Sequence, residues 1–324
     1  MHTQTRDLRD WDEEVLDALR QAKNAAGFEH LGLLSGLGLM AVFRDKAAQP
    51  TNEPPAFVRD PKAVPARDEW YADSAQVFDN LYFVGGKIHS AWALETSQGF
   101  IVIDTIFPYN SEELIVGGMQ RLGLDPGDIK YVIISHAHAD HIGGAEMLQN
   151  RGHRIVMDRR DWDLVEQLPK RYLTMAPRRD LEAEDGQQLT LGDTTVTIWR
   201  TPGHTDGTLS YTFTVFDDGR PVNVVYSGGT GFAFPYTTPE VGIQKFQTYI
   251  DSQKRIAARA ADTNATVILS NHSVQDNAVN KIRMIPGRGS GPHPFEVGAD
   301  MVQRYFLVMQ HCARAAQIQL ERIA

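Results

Sequence analysis

Ser135-His136-Ala137-His138-Ala139-Asp140-His141 decides the reading of this chain. Three imidazoles and one carboxylate fall within a single short segment. These are the ligand types that hold zinc while leaving a position open for water. With 11 His in 324 residues, chance produces this pattern in on the order of one in a thousand such chains. His136 and His138 are one residue apart, so on an extended segment they point the same way. Asp140 and His141 follow where the chain must turn, and Gly143-Gly144 relieves that turn. One stretch can therefore serve two adjacent metal ions.

Working outward, Tyr131-Val132-Ile133-Ile134 reads as a buried strand that delivers the cluster at its C-terminal end. Open α/β sheets commonly put chemistry there. Further β-type runs cover Val77 to Val84, Ala91 to Thr96, Phe100 to Asp104, Gln187 to Trp199, Ser210 to Val215, Pro221 to Tyr226 and Ala265 to Ser270. Ser111 to Leu122 reads as a helix. So does the stretch carrying Phe246, Tyr249, Ile250 and Ala257, and the final run with Met301, Tyr305, Val308, Cys312 and Ala315 on one face. The pattern predicts an α/β chain.

Two distant histidines complete the set. His204 lies in Thr201-Pro202-Gly203-His204-Thr205, a turn after a strand, and His272 ends the Ala265–Ser270 run. His136, His138 and His204 are expected to hold one ion, and Asp140, His141 and His272 the other. Each ion then has three protein ligands and an open position, which is the catalytic arrangement. His2, His30, His89, His153, His293 and His311 are read as ordinary surface or core residues. Phe107, Tyr109, Phe232, Phe234 and Tyr236 lie on loops beside the motifs. They form either an aromatic wall for a cyclic substrate or plain loop packing.

The formal net charge of −9 gives no long-range attraction for a polyanion, so nucleic acid is a poor candidate substrate and none is expected as a partner. Cys312 is the only cysteine, so no intramolecular disulfide forms. The N-terminus lacks a basic start followed by an apolar run. The later run Leu31 to Phe43 is too short to span a bilayer. A cytoplasmic location is the default, with a periplasmic one not excluded. Residues 1–70 read as an N-terminal helical extension before a main domain over 71–324. In the extension, Asp10 and Glu13 resemble a capping box, Val15, Leu19, Ala22 and Ala26 share a helical face, and five prolines fall between Gln49 and Asp68. The extension serves as a homodimerisation arm or a lid, or it packs on its own chain.

These residues resemble the metallo-β-lactamase superfamily from about Val77 to Ser273. Asp104 in Ile101-Val102-Ile103-Asp104-Thr105 matches its first motif, where the Asp orients the ligand loop. His136, His138, Asp140 and His141 match the second, His204 the third and His272 the last. The resemblance implies a four-layered αβ/βα sandwich with the metals at one edge, and one or two zinc ions per chain. In the fourth motif, Val225-Tyr226-Ser227-Gly228-Gly229-Thr230-Gly231, Gly229 stands where most of the superfamily has a bridging Asp. Glyoxalase II, tRNase Z, persulfide dioxygenases and many acyl-homoserine lactonases use that Asp. The third subclass of metallo-β-lactamases lacks it, and this chain is most similar to that branch. Without the carboxylate a two-zinc site keeps one more positive charge. That favours an anionic or strongly polarised substrate group and weakens the second metal site.

The implied activity is zinc-dependent hydrolysis. Zinc lowers the pKa of bound water from 15.7 to about 7, and the resulting hydroxide attacks a cyclic amide or ester of a small molecule, as in a β-lactamase. Asp140 is both a ligand and a group that can orient the nucleophile. A catabolic lactonase, or a hydrolytic dehalogenase of an activated aromatic, is the alternative on the same metals.

Overall fold

The structure, a computed structural model, describes residues 12–42, 60, 63–167, 176–232 and 236–324. Two sheets lie face to face. The first has seven strands in sequential order: β1 (Ala75–Phe78), β2 (Leu81–Phe83), β3 (Trp92–Thr96), β4 (Gly99–Ile103), β5 (Ile129–Ile133), β6 (Arg154–Asp158) and β7 (Leu181–Ala183). Its first four strands pair antiparallel, and β4 to β7 pair parallel. The second sheet contains β8 (Gln188–Leu191), β9 (Thr194–Arg200), β10 (Leu209–Asp217), β11 (Arg220–Ser227) and β12 (Val267–Ser270), with β11 and β12 parallel.

Strand periodicity divides the core between the two faces of each sheet. In β4, Ile101 and Ile103 point between the sheets, while Phe100 and Val102 point outward. In β5, Tyr131 and Ile133 face inward, and Val132 and the following Ile134 face outward. This explains the unbroken apolar run at 131–134: both faces are covered, as expected of parallel strands. The expected four layers are present. Helices over residues 117–121, 145–150 and 159–167 cover the first sheet. Four helices cover the second: α1 (Glu13–Ala26), α2 (Leu31–Val42), α3 (Pro239–Asp262) and α4 (Ala299–Glu321).

The apolar face of the extension has a partner on its own chain. Val15, Ala18 and Ala22 of α1 and Leu33 and Leu37 of α2 share one buried cluster with Tyr305, Phe306, Met309 and Cys312 of α4. The cap of α1 is Asp12, whose side chain accepts from the Glu14 amide. Asp10 lies outside the described residues, as does most of the proline-rich stretch. Ser111 to Leu122 begins with a π-helical turn over Glu112–Val116 before the regular helix Gly117–Arg121. Among the described residues no helix is long and apolar enough to cross a membrane.

Candidate metal centre

Strand ends of both sheets converge on one edge. β4 and β5 run parallel with Ile103 opposite Ile133, so Asp104 and the Ser135–His141 loop leave the sheet together. β11 and β12 run parallel with Ser227 opposite Ser270, which brings Gly228 beside Asn271 and His272. The turn between β9 and β10 carries His204. The Leu209 amide donates to the Ser135 carbonyl at 2.8 Å, tying the two sheets together at this edge.

The first group is His136, His138 and His204, whose ligand atoms all lie within 4.8 Å of one another. A carbonyl can only accept, so it fixes the imidazole proton. His136 Nδ1 donates to Gly228 O at 2.8 Å, and His204 Nδ1 donates to Gly231 O at 2.8 Å. The Nε2 atoms of both rings therefore carry no proton. His204 Nε2 lies 3.0 Å from His138 Nδ1. His136 Nε2 is fully buried and has no hydrogen-bond partner. Burial, and then the neighbouring imidazoles, push His136 far below the ordinary histidine range. Burial drives His204 down to about 3. Three converging neutral imidazoles with an orphaned nitrogen are a donor set suited to zinc.

The second group gathers around Asp140 Oδ2. His141 Nε2 lies 3.2 Å from it, and His272 Nε2 lies 3.5 Å from it. His141 Nδ1 donates to Asp104 Oδ2 at 3.0 Å. Burial opposes charge on His141, but the Asp140 and Asp104 carboxylates outweigh it and raise the ring to about 10. Asp104, buried and at φ +59°, also accepts from Ser135 N, Ser135 Oγ and Tyr226 OH at 2.6, 2.8 and 2.7 Å. The two groups adjoin: the His136 and His141 ring centroids are 4.2 Å apart.

The structure thus brings together His136, His138, Asp140, His141, His204, His272 and Asp104. It also adds residues the sequence reading passed over. His89, taken as background, forms a metal-capable group with Asp140 and His272. Asp161 pins two ligand loops at once, accepting from Ala137 N, Thr205 Oγ1 and Gly207 N at 2.7, 2.9 and 3.0 Å. Asn271 Nδ2 lies 3.1 Å from Gly228 O and 3.3 Å from His141 Nε2. None of these three stands in a spacing pattern, and only the Gly85-Gly86 turn before His89 hints at a built loop. The background reading does fit His30, His153 and His293, each buried with a ring nitrogen donating to a main-chain carbonyl.

Two glycines act by close approach. A Cβ at Gly143 would lie 2.5 Å from Ile106 O, although its φ is an ordinary −60°. At Gly229 a Cβ would come within 2.7 Å of Thr208 Cγ2 and 3.0 Å of His204 Cβ. A side chain at Gly229 therefore collides with the first group's loop. Of the loop aromatics, Phe107 and Tyr109 stack at 5.3 Å beside His89. Phe232 packs into the helical core on Phe246 and Tyr249, and Phe234 lies outside the described residues.

A family model described as the metallo-beta-lactamase superfamily matches residues 84–263, more than half of the chain. The chain is 25% identical over 189 residues to an N-acyl homoserine lactonase of a Bacillus species, a match covering 51% of this chain and 73% of the lactonase. It is 31% identical over 103 residues to a hydroxyacylglutathione hydrolase of Pseudomonas putida, covering 32% of this chain and only 33% of that relative. Among solved structures, BJP-1, a subclass B3 metallo-beta-lactamase of Bradyrhizobium japonicum, matches with a TM-score of 0.60 at 25% identity. That match covers 78% of this chain and 96% of BJP-1.

Proposed function

On the premise that this chain belongs to the metallo-beta-lactamase superfamily, we propose that it is a zinc-dependent hydrolase of a cyclic amide or ester, β-lactamase-like in its site. The observation that carries this reading is the bare, buried Nε2 of His136, set among His138 Nδ1 and His204 Nε2. A buried lone pair without a donor costs about 1–3 kcal/mol, and a cation at that point offsets the cost. His136, His138 and His204 would hold one ion, and Asp140, His141 and His272 a second. When bound, the metal supplies an activated water and a positive charge that polarises the substrate carbonyl.

The chain's own groups do the positioning. Gly228 O and Gly231 O hold His136 and His204 in the tautomer that exposes Nε2. Asp104 fixes His141 from behind, as partners of ligating histidines do. Asp140 carries the one carboxylate among the grouped ligand atoms of the described residues, and it would orient water at the site by accepting its hydrogen bond. With Gly229 in place of a second carboxylate, the site favours a substrate that presents an anionic or strongly polarised group. Within that class a β-lactam is the first reading, and a lactone, the cyclic ester, is the second, supported by the similarity to the homoserine lactonase.

The test is zinc content together with hydrolysis of β-lactams, lactones and halogenated activated aromatics by one preparation. Bound zinc with lactam turnover is the expected result. Zinc with turnover of lactones or aryl halides only would move the substrate class to the second reading or to dehalogenation. A chain that binds no zinc and hydrolyses nothing on the panel would overturn the proposal.

A further inference from the structure

We infer that His89 is a fourth side-chain ligand of the second metal, standing in for the carboxylate that Gly229 removes. The inference rests on the metal-dependent reading above, but it concerns a residue outside the motifs that carry that reading.

The loop around His89 is built to hold it. Gly86 N donates to His89 O at 2.8 Å, closing a tight turn, and Val84 N donates to Ala91 O at 2.9 Å where the chain returns. A Cβ at Gly85 would lie 2.5 Å from Ala91 N, so that turn excludes a side chain. Ser90 N donates to Asn271 O at 3.0 Å, which fixes the loop to the residue before His272. The His89 ring stands edge-on to Phe107, with centroids 4.8 Å apart at 85°, and packs against the His272 ring at 4.9 Å. Its side chain is 17% exposed.

The distances favour coordination over hydrogen bonding. His89 Nε2 lies 3.4 Å from Asp140 Oδ2, and His272 Nε2 lies 3.5 Å from the same oxygen. Both are longer than the roughly 2.7–3.2 Å of an ordinary N–H···O bond. A tetrahedral zinc with bonds of about 2.0–2.1 Å has ligand–ligand edges of about 3.3–3.4 Å. The three contacts of Asp140 Oδ2 with His89, His141 and His272 all fall near that edge length. The ligand atoms of His89, Asp140 and His272 also all lie within 4.8 Å of one another.

The chemistry fits the departure at Gly229. A chain without the bridging carboxylate loses a ligand from its second site. A neutral imidazole restores the ligand number without restoring the negative charge. The second ion is then held by protein groups on all sides, as in closed zinc sites, and the open position stays with His136, His138 and His204. The second site is thereby kept from the weakening that the missing carboxylate alone implies.

The experiment is zinc titration of the full chain against a chromophoric chelator, for the wild type and His89→Ala. The expected result is two zinc equivalents in both proteins, with the second weakened by about 100-fold or more in His89→Ala and the first unchanged. Two equivalents of unaltered affinity in His89→Ala would overturn the inference and leave the hydrolase reading standing. A wild-type chain that takes up no zinc would overturn both. A second variant gives a direct readout should His89→Ala fold poorly. His89→Gln, close to histidine in size, is expected to weaken the second equivalent by about 10-fold or more with the first unchanged. Two equivalents of unaltered affinity in folded His89→Gln would also overturn the inference.

Discussion

The two ligand groups differ in how their atoms are aimed. In the first, His136 and His204 are each oriented by a main-chain carbonyl, and backbone carbonyls cannot rotate away. The second collects around one carboxylate oxygen, with its imidazoles 3.2 to 3.5 Å away. There His141 has its far nitrogen tied to another side chain, the Asp104 carboxylate. The difference teaches that the first group is aimed by the backbone itself, while the second depends on side-chain carboxylates for its aim. Each has its own buried carboxylate support: Asp161 behind the first, Asp104 behind the second.

The largest effect should separate the groups outright. His204→Ala is expected to lower hydrolysis by about 10³-fold or more, roughly 4 kcal/mol, with no recovery in excess zinc. His272→Ala leaves Asp140, His141 and His89 in place. It should lose less activity and recover part of it as zinc is raised. Steady-state rates against zinc concentration for the two variants check this. Equal losses with equal recovery would erase the distinction between the groups.

Asp161 sharpens the comparison through pH. Burial raises its carboxyl to about 6, above the roughly 3.9 of an unfolded Asp. Because the folded state holds the proton more tightly, the stability from this group is complete below about pH 4. It is lost as pH rises through about 6. A shift of that size corresponds to about 2–3 kcal/mol. Asp161→Asn cannot ionise, so it should gain that amount on the wild type between pH 4 and pH 7 in denaturant unfolding. A difference between the two proteins that does not vary with pH would show that folding does not raise the Asp161 carboxyl.

What the sequence disclosed follows the same division. The strand Tyr131–Ile134, the cluster after it and the glycine-flanked His204 were legible because each combines a local hydrophobic period with a local spacing. His89 and Asp161 were not, because neither has a local pattern. Asp161 opens a helix in Arg159-Arg160-Asp161-Trp162, where an acidic residue in the first turn reads as ordinary helix-dipole chemistry. It reaches Ala137 and Gly207 only through the tertiary fold. His89 meets Asp140 through the tertiary fold, where Ser90 pairs with Asn271. The stripe on α1 was legible as amphipathic, but sequence periodicity carries no information on which surface it covers. That surface is α4 of the same chain.

The smallest effect tests the support of the second group. Asp104 accepts four hydrogen bonds, from Ser135 N, Ser135 Oγ, His141 Nδ1 and Tyr226 OH. Asp104→Asn keeps the shape, but it removes the negative charge and puts a donor where one of those donors pointed. His141 then faces a neutral amide oxygen instead of a carboxylate, a weaker hold on the ring that aims Nε2 at the metal side. Outer partners of ligating histidines typically contribute about 10–100-fold in metal affinity, or roughly 1.4–2.7 kcal/mol. That loss is expected mainly in the second zinc equivalent, because His141 belongs to the second group. The first group is reached through Ser135, whose N and Oγ donate to Asp104 and whose Oγ lies 3.2 Å from His136 Nδ1, and Gly228 O holds that ring independently. Zinc titration of Asp104→Asn resolves the two equivalents. Equal weakening of both would mean that Asp104 braces the whole edge and the two groups share one scaffold.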